Sequence, residues 1–196
     1  MAKVFPADYP VNIMLRMHNE GKGLYWFYNK SSYPNDPPLF FKYILSQATS
    51  YIDIWDPYYN LNEDYNIFDS LPSNLEIRLL ILKGLDKGIH SAFINNVWTE
   101  LRRIIDPSKN IKFGIRVVNE GDGRQRNLFF HDRFLITDKN DVYLIGSSIG
   151  WHVASKSSTG ILKITDPDIS EFIISIFNEY WRLSSLYEKA VQILHP

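Results

Sequence analysis

The part of the sequence that decides the fold reads FFHDRFLITD over residues 129–138 and VYLIGSS over residues 142–148. Two apolar runs flank residues 139–141, and this pattern predicts a β-hairpin with its turn at that segment. The first run is unusual because it carries polar side chains among Phe, Leu and Ile. In an alternating strand His131 and Arg133 share one face, since side chains repeat every two residues. An imidazole beside a guanidinium, with serine hydroxyls nearby, favours a phosphate pocket.

Length and composition indicate an ordinary globular domain. The 196 residues fit a single domain over 1–196, long enough to bury a large core. Hydrophobic residues make up 45% of the chain and charged residues 22%. The formal net charge is -1, so any binding of nucleic acid or another polyanion requires a local patch. The absence of cysteine excludes disulfides and thiolate metal sites, and it is compatible with a reducing cytoplasm.

Targeting signals are missing from the printed sequence. Its first residues lack the apolar run of a secretory signal, and no stretch approaches membrane-spanning length. We therefore expect a cytoplasmic protein without a transmembrane segment. Aromatic residues make up 15% of the chain, and tyrosine-rich surfaces often form interfaces, so oligomerisation stays open.

Helical and strand patterns alternate along the chain. Residues 1–38 are predicted to be an irregular N-terminal extension in which only Leu24 to Tyr28 has the pattern of a short strand. The remaining elements are predicted in this order: a helix from Pro37, strand 51–55, a short helix at 62–71, strand 76–82, helix 92–105, strand 111–118, the hairpin, strand 160–165 and a closing helix at 169–194. This alternation predicts an α/β fold with a mixed, largely parallel sheet flanked by helices on both faces.

Further polar residues are candidates for the same pocket. Asp56 ends the strand at 51–55 and is followed by Tyr58; ligand sites gather at such strand ends, although Asp-Pro is also an ordinary turn. Arg124 and Arg126, in the loop before the hairpin, could guide a polyanion toward the pocket. Two acidic residues in that loop make a solvated loop the alternative. The alternative for the hairpin is a half-buried strand whose polar face meets solvent or a carboxylate such as Asp56.

The spacing His131-x-Arg133-x4-Asp138, followed by Gly146-Ser147-Ser148, resembles the HxKx4D…GS motif of the phospholipase D-like superfamily. The order of elements over residues 39–185 resembles one domain of that family as well. The resemblance implies a phospholipase D-like fold and a phosphodiesterase that needs neither a metal nor a cofactor.

The resemblance also implies roles for the motif residues. In that family the histidine attacks phosphorus, and a second motif histidine, from another half or another subunit, protonates the leaving oxygen. Here His131 would be the nucleophile, Arg133 would stabilise charge on the phosphoryl oxygens, and Asp138 would support the motif geometry. Ser147 and Ser148 would bind phosphate. A chain with a single motif would need a symmetric homodimer to bring two copies of the histidine together.

The function implied is a nuclease acting on DNA or RNA rather than a lipase, because the chain is small and lacks a membrane-binding segment. Three departures from the motif favour an alternative. Arg133 replaces lysine, one extra residue precedes Gly146, and Ile149-Gly150 stands where an asparagine is expected. The alternative is a catalytically inactive module of the same fold that binds nucleic acid, lipid headgroups or protein. A third hypothesis is an effector or sensor domain of a bacterial defence system within a larger complex.

Overall fold

The computed structural model describes residues 25–28, 36–57, 59, 65–82, 98–118, 132–146, 148–149 and 159–194. Within these residues, eight strands form one sheet. In chain order the strands are β1 (Tyr25–Tyr28), β2 (Tyr51–Trp55), β3 (Glu76–Leu82), β4 (Ile111–Val118), β5 (Phe134–Thr137), β6 (Asp141–Ile145), β7 (Thr159–Ile164) and β8 (Ser185–Leu194). The helices are α1 (Asp36–Ser46), α2 (residues 98–104) and α3 (Pro167–Leu183), with short 3-10 helices at Tyr65–Phe68 and Pro107–Lys109.

The strands lie in the order β1-β7-β6-β5-β2-β3-β4-β8. Strand β3 runs parallel to β2 and to β4, whereas the other pairings of this sheet are antiparallel. The α/β class and the mixed sheet are therefore confirmed. Parallel pairing is limited to the three strands joined by helical connections, so the sheet is less parallel than predicted.

Alternation along β2 divides the core into two layers. Ile52 and Ile54 are fully buried on the face covered by α1 and α2, together with Leu101 of α2. Trp55 points to the opposite face, where it packs against Phe177 of α3. Helices thus cover both faces, as predicted. Full burial of an aliphatic or aromatic side chain of this kind stabilises the fold by roughly 1.5–3 kcal/mol.

A buried ion pair fixes α3 to the sheet. Asp53 and Arg78 lie directly opposite each other on β2 and β3. The guanidinium of Arg78 donates two hydrogen bonds to the Asp53 carboxylate, at 2.6 and 2.5 Å, and a third to Asn178 Oδ1 of α3 at 3.0 Å. It also lies 4.9 Å from the ring centroid of Phe177. Loss of either charge would leave the other uncompensated in the core, which typically costs about 3–5 kcal/mol.

The C-terminal end of the chain differs from the prediction. The short strand predicted at Leu24 to Tyr28 is observed as β1, which pairs with β7 at one edge of the sheet. The closing helix ends at Leu183, because Ser184 adopts extended backbone angles. The residues that follow form β8 along the outer edge of β4. Tertiary pairing with that edge overrides the helical spacing of apolar residues that predicted one helix to residue 194.

The hairpin turn lies one residue earlier than predicted. Asp138 and Lys139 occupy its centre with φ angles of 53° and 54°, and Asn140 N–H donates to Thr137 O at 3.0 Å. The register pairs Thr137 with Asp141, so three residues connect the two strands. Strand β5 begins only at Phe134, so Arg133 precedes the strand instead of lying within it. The predicted shared face of His131 and Arg133 stays a prediction, because His131 lies outside the described residues.

Candidate functional site

The carboxyl end of β2 is where the sheet changes direction, since β2 is parallel to β3 on one side and antiparallel to β5 on the other. Three segments meet there. Strand β2 leads into Asp56, Arg133 leads into β5, and the chain leaving β6 reaches Ser148. Ligand sites in such sheets gather at the carboxyl ends of strands, beside a change of strand order or direction. The carboxyl end of β2 is therefore the candidate position for a functional site. We call the cluster of Asp56, Arg133, Ser148 and Ile149 the carboxyl-edge site.

The Asp56 carboxylate lies at the centre of the carboxyl-edge site. Its residue is fully buried, with 0% exposure. Oδ2 accepts hydrogen bonds from Ser148 Oγ at 2.7 Å and from the backbone N–H of Ile149 at 2.8 Å. The Asp56 backbone N–H donates to Leu80 O of β3 at 3.1 Å. One side chain at the end of β2 therefore holds the segment that follows β6.

Arg133 approaches the same carboxylate from the other side. Its Nε lies 3.8 Å from Asp56 Oδ1, and the side chain is 22% exposed. The backbone is fixed as well, because Arg133 O accepts from Ile145 N–H of β6 at 2.9 Å. The cation compensates a carboxylate that is removed from water. A guanidinium in this position can also stabilise negative charge on phosphoryl oxygens.

Ser148 was predicted to bind phosphate directly. The structure places it 6% exposed, with its hydroxyl donating to Asp56. Its observed contact is thus with the internal carboxylate, and the serine supports the site from within the fold.

Asp138 lies at the opposite end of β2, beside the first residues of that strand. The register pairs Thr137 with Ile52 and Phe134 with Trp55, so the length of β2 separates Asp138 from Asp56, on the order of 15 Å. Its carboxylate accepts from the backbone N–H groups of Thr49 (2.9 Å), Ser50 (2.8 Å) and Tyr51 (3.0 Å). Desolvation raises the pKa of Asp138, but these hydrogen bonds outweigh it and hold the pKa below its ordinary value. This arrangement ties the hairpin turn to the start of β2.

Five predicted site residues lie outside the described residues: His131, Ser147, Tyr58, Arg124 and Arg126. Their roles remain predictions. Tyr59 is buried and donates its backbone N–H to Asp56 O at 3.3 Å.

Sequence reasoning missed the contacts made by backbone groups. The Ile149 amide bonds to Asp56, and the amides of residues 49–51 bond to Asp138. Backbone amides occur at every residue except proline, so the sequence does not indicate which of them will bind a carboxylate. The Asp53–Arg78 pair did leave a signal, because each of the two residues is flanked by apolar residues on both sides.

Two searches concern the described part of the chain only. None of the helices found there has the length and apolar character needed to cross a membrane. In the same residues, no three side chains of His, Asp or Glu lie close enough together to hold a metal ion.

Comparison with known proteins identifies the fold. No protein-family model and no curated protein matches the sequence. The structure of Nuc from Salmonella typhimurium, a phospholipase D family member, matches with a TM-score of 0.51 at 15% sequence identity, over 76% of this chain and 89% of that one. NucT from Helicobacter pylori matches with a TM-score of 0.51 at 9% identity, over 83% and 97%. The chain therefore has a phospholipase D-like fold, which confirms the resemblance drawn from the motif. At these identities the likeness establishes the fold alone.

Proposed function

We propose that this protein is a metal-independent phosphodiesterase, acting as a nuclease on DNA or RNA through a phosphohistidine at a homodimer interface. His131 attacks phosphorus, which releases one oxygen of the diester and leaves the phosphoryl group on the imidazole. The second copy of His131 donates a proton to the leaving oxygen. Water then hydrolyses the phosphohistidine. Division of the displacement into two steps calls for a nucleophile, a cationic clamp and an acid.

The observation that supports this proposal is the placement of Arg133. Its guanidinium lies at the carboxyl end of β2, paired with Asp56, in a sheet whose fold is phospholipase D-like. His131 stands two residues earlier in the sequence, at the position that the motif gives to the nucleophile. Preference for nucleic acid over lipid rests on analogy with small single-motif members of the superfamily.

The first test is hydrolysis by a His131→Ala variant in excess EDTA, with single-stranded and double-stranded DNA and RNA as separate substrates. We expect the wild-type protein to cleave at least one of them in EDTA and the variant to lose cleavage. His195→Ala, which changes a histidine remote in sequence from the motif, is the matched control and should retain activity. Cleavage that requires added metal, or that survives loss of His131, would refute the mechanism.

The homodimer is tested by mixing. Co-refolding wild-type chains with His131→Ala chains forms mixed dimers with one intact His131. A mixed dimer lacks either the nucleophile or the acid. Activity should then fall in proportion to the square of the wild-type fraction. A linear fall would mean that each chain works alone.

A second candidate function is a catalytically inactive module that binds nucleic acid, lipid headgroups or protein. The observation that favours it is the use of site donors within the fold. The Ser148 hydroxyl and the Arg133 Nε both face Asp56, which offsets local positive charge. Binding of the same nucleic acids without turnover, together with no phosphohistidine after acid-free trapping, would support this function over the enzyme.

A further inference from the structure

The carboxyl-edge site contains a buried carboxylate that the phosphodiesterase scheme does not use. Asp56 contributes no proton and no nucleophile to that scheme, yet it has 0% exposure and contacts three groups of the site. A charge without contact to water is costly, so it persists only where its partners compensate it. Those partners come from two different strand ends.

The two oxygens of Asp56 have separate partners. Oδ2 receives the Ser148 hydroxyl and the Ile149 amide, which belong to the chain leaving β6. Oδ1 faces Arg133 Nε at 3.8 Å, at the start of β5. The Arg133 Nε atom is itself buried, so the 22% exposure of its side chain comes from other atoms. At 3.8 Å this contact is an ion pair longer than a hydrogen bond, so the carboxylate attracts the guanidinium through charge.

Asp53 offers an internal comparison on the same strand. It too has 0% exposure and pairs with an arginine, Arg78, but on the face beneath α3. Its contacts stay within the core, with Asn178 of α3 as the third member. The two aspartates thus share burial and pairing, and differ in whether the arginine lies at the carboxyl-edge site.

We propose that Asp56 is a positioning residue, which fixes the Arg133 guanidinium relative to the segment that contains Ser148 and Ile149. In this arrangement Asp56 pairs with the arginine that stands where the family motif has lysine. Loss of the carboxylate removes this ion pair with the guanidinium. This inference rests on the proposed function only for its rate measurement.

The test uses Asp56→Asn and, as matched control, Asp53→Asn. The readout is the hydrogen-exchange rate of arginine Nε–H groups by NMR, with Arg182, an exposed residue of α3, as reference. Asp56→Asn should raise the exchange rate of Arg133 toward that of Arg182 and leave Arg78 unchanged. Asp53→Asn should do the reverse. Equal Arg133 exchange in the wild-type protein and Asp56→Asn would overturn the proposal.

Kinetics provide the second readout. If the wild-type protein hydrolyses a phosphodiester, Asp56→Asn should lower kcat on the order of 100-fold, the loss expected from a misplaced charge-stabilising group. The effect should disappear when Arg133 is already glutamine, because Asp56 acts through Arg133. Asp53→Asn should leave the rate per folded molecule unchanged. An unchanged kcat in a variant with mobile Arg133 would also overturn the proposal.

Two provisions separate the outcomes. If the wild-type protein hydrolyses nothing, the proposed function fails while the exchange measurement still decides the role of Asp56. If Asp56→Asn does not fold, Ser148→Ala removes the 2.7 Å hydrogen bond to Oδ2 without stranding a charge. That variant should raise Arg133 exchange to a smaller degree, and the absence of any rise would count against the proposal.

Discussion

The two ends of β2 each carry a carboxylate that joins separate segments, and they do so in different ways. At the carboxyl end, Asp56 is fully buried and bonds to a hydroxyl, an amide and a guanidinium. At the amino end, Asp138 is half-buried and bonds to three backbone amides of residues 49–51. The first end therefore contains a side-chain cation beside a buried anion, whereas at the second end backbone amides are the main donors to the carboxylate.

This difference separates two residues that the sequence motif joins. Arg133 and Asp138 are members of one motif, but they lie at opposite ends of β5. Chemistry requires groups within contact of the reacting atoms. Arg133 is therefore assigned to the chemistry in our proposal, and Asp138 to the attachment of the hairpin to β2.

The largest expected effect is at the carboxyl end. Arg133→Gln should lower the hydrolysis rate per folded molecule by about 10²–10³-fold, because a group that stabilises transition-state charge is lost. Arg133→Lys should recover most of that loss, since the charge is retained. Arg103→Gln changes an exposed arginine and serves as control. The rates are to be measured beside urea unfolding curves, and an Arg133→Gln rate equal to wild type would remove this residue from the mechanism.

The next effect is at the amino end. Asp138→Ala should lower the free energy of unfolding by about 2 kcal/mol, since the hydrogen bonds from three amides to a charged acceptor are lost. Asp141→Ala is the matched control on the same hairpin, because it removes only a partly exposed ion pair with Lys163 and should cost less than about 1 kcal/mol. Chemical denaturation measures both. A rate per folded molecule that falls with Asp138→Ala would contradict the division between the two ends.

The smallest expected effect is the pH dependence of the contribution that Asp138 makes to the free energy of unfolding. The pKa of Asp138 is lowered in the folded protein, so its stabilisation is present above the unfolded-state pKa, near about 3.9, and is lost as the pH falls through the folded pKa. The stability difference between wild type and Asp138→Ala should therefore be constant near neutral pH and shrink below about pH 4. Denaturation at a series of pH values measures it. A difference that persists undiminished at low pH would show that the amides do not bind the charged form.

Much of the fold could be predicted because the pattern of apolar residues follows the period of each element. Strands β2, β3 and β4 were predicted at the observed residues, and α1 begins at the predicted prolines. The errors fall where tertiary pairing outweighs local pattern. Residues 185–194 form a strand because the edge of β4 is available, although their apolar spacing also suits a helix.

The candidate site was predictable in part. Asp56 and Arg133 were both named, because a polar residue at a strand end in an apolar context is visible in the sequence. Contact of the hairpin with Asp56 was one of two alternatives drawn from the sequence, and the inward direction of Ser148 was not visible. Both depend on which strands are neighbours, and the sequence does not specify that β5 lies beside β2.

By itself, the sequence determined the class of fold and the identity of the charged residues that β2, β3 and the hairpin carry, because periodicity and motif spacing are properties of the chain. Only the tertiary structure decided which of those charges meet. The sheet register places Asp53 opposite Arg78 and Asp56 beside Arg133, and it places Asp138 at the other end of β2. The physical reason is that strand order and direction, set by burial on both faces of the sheet, determine every contact between residues distant in sequence.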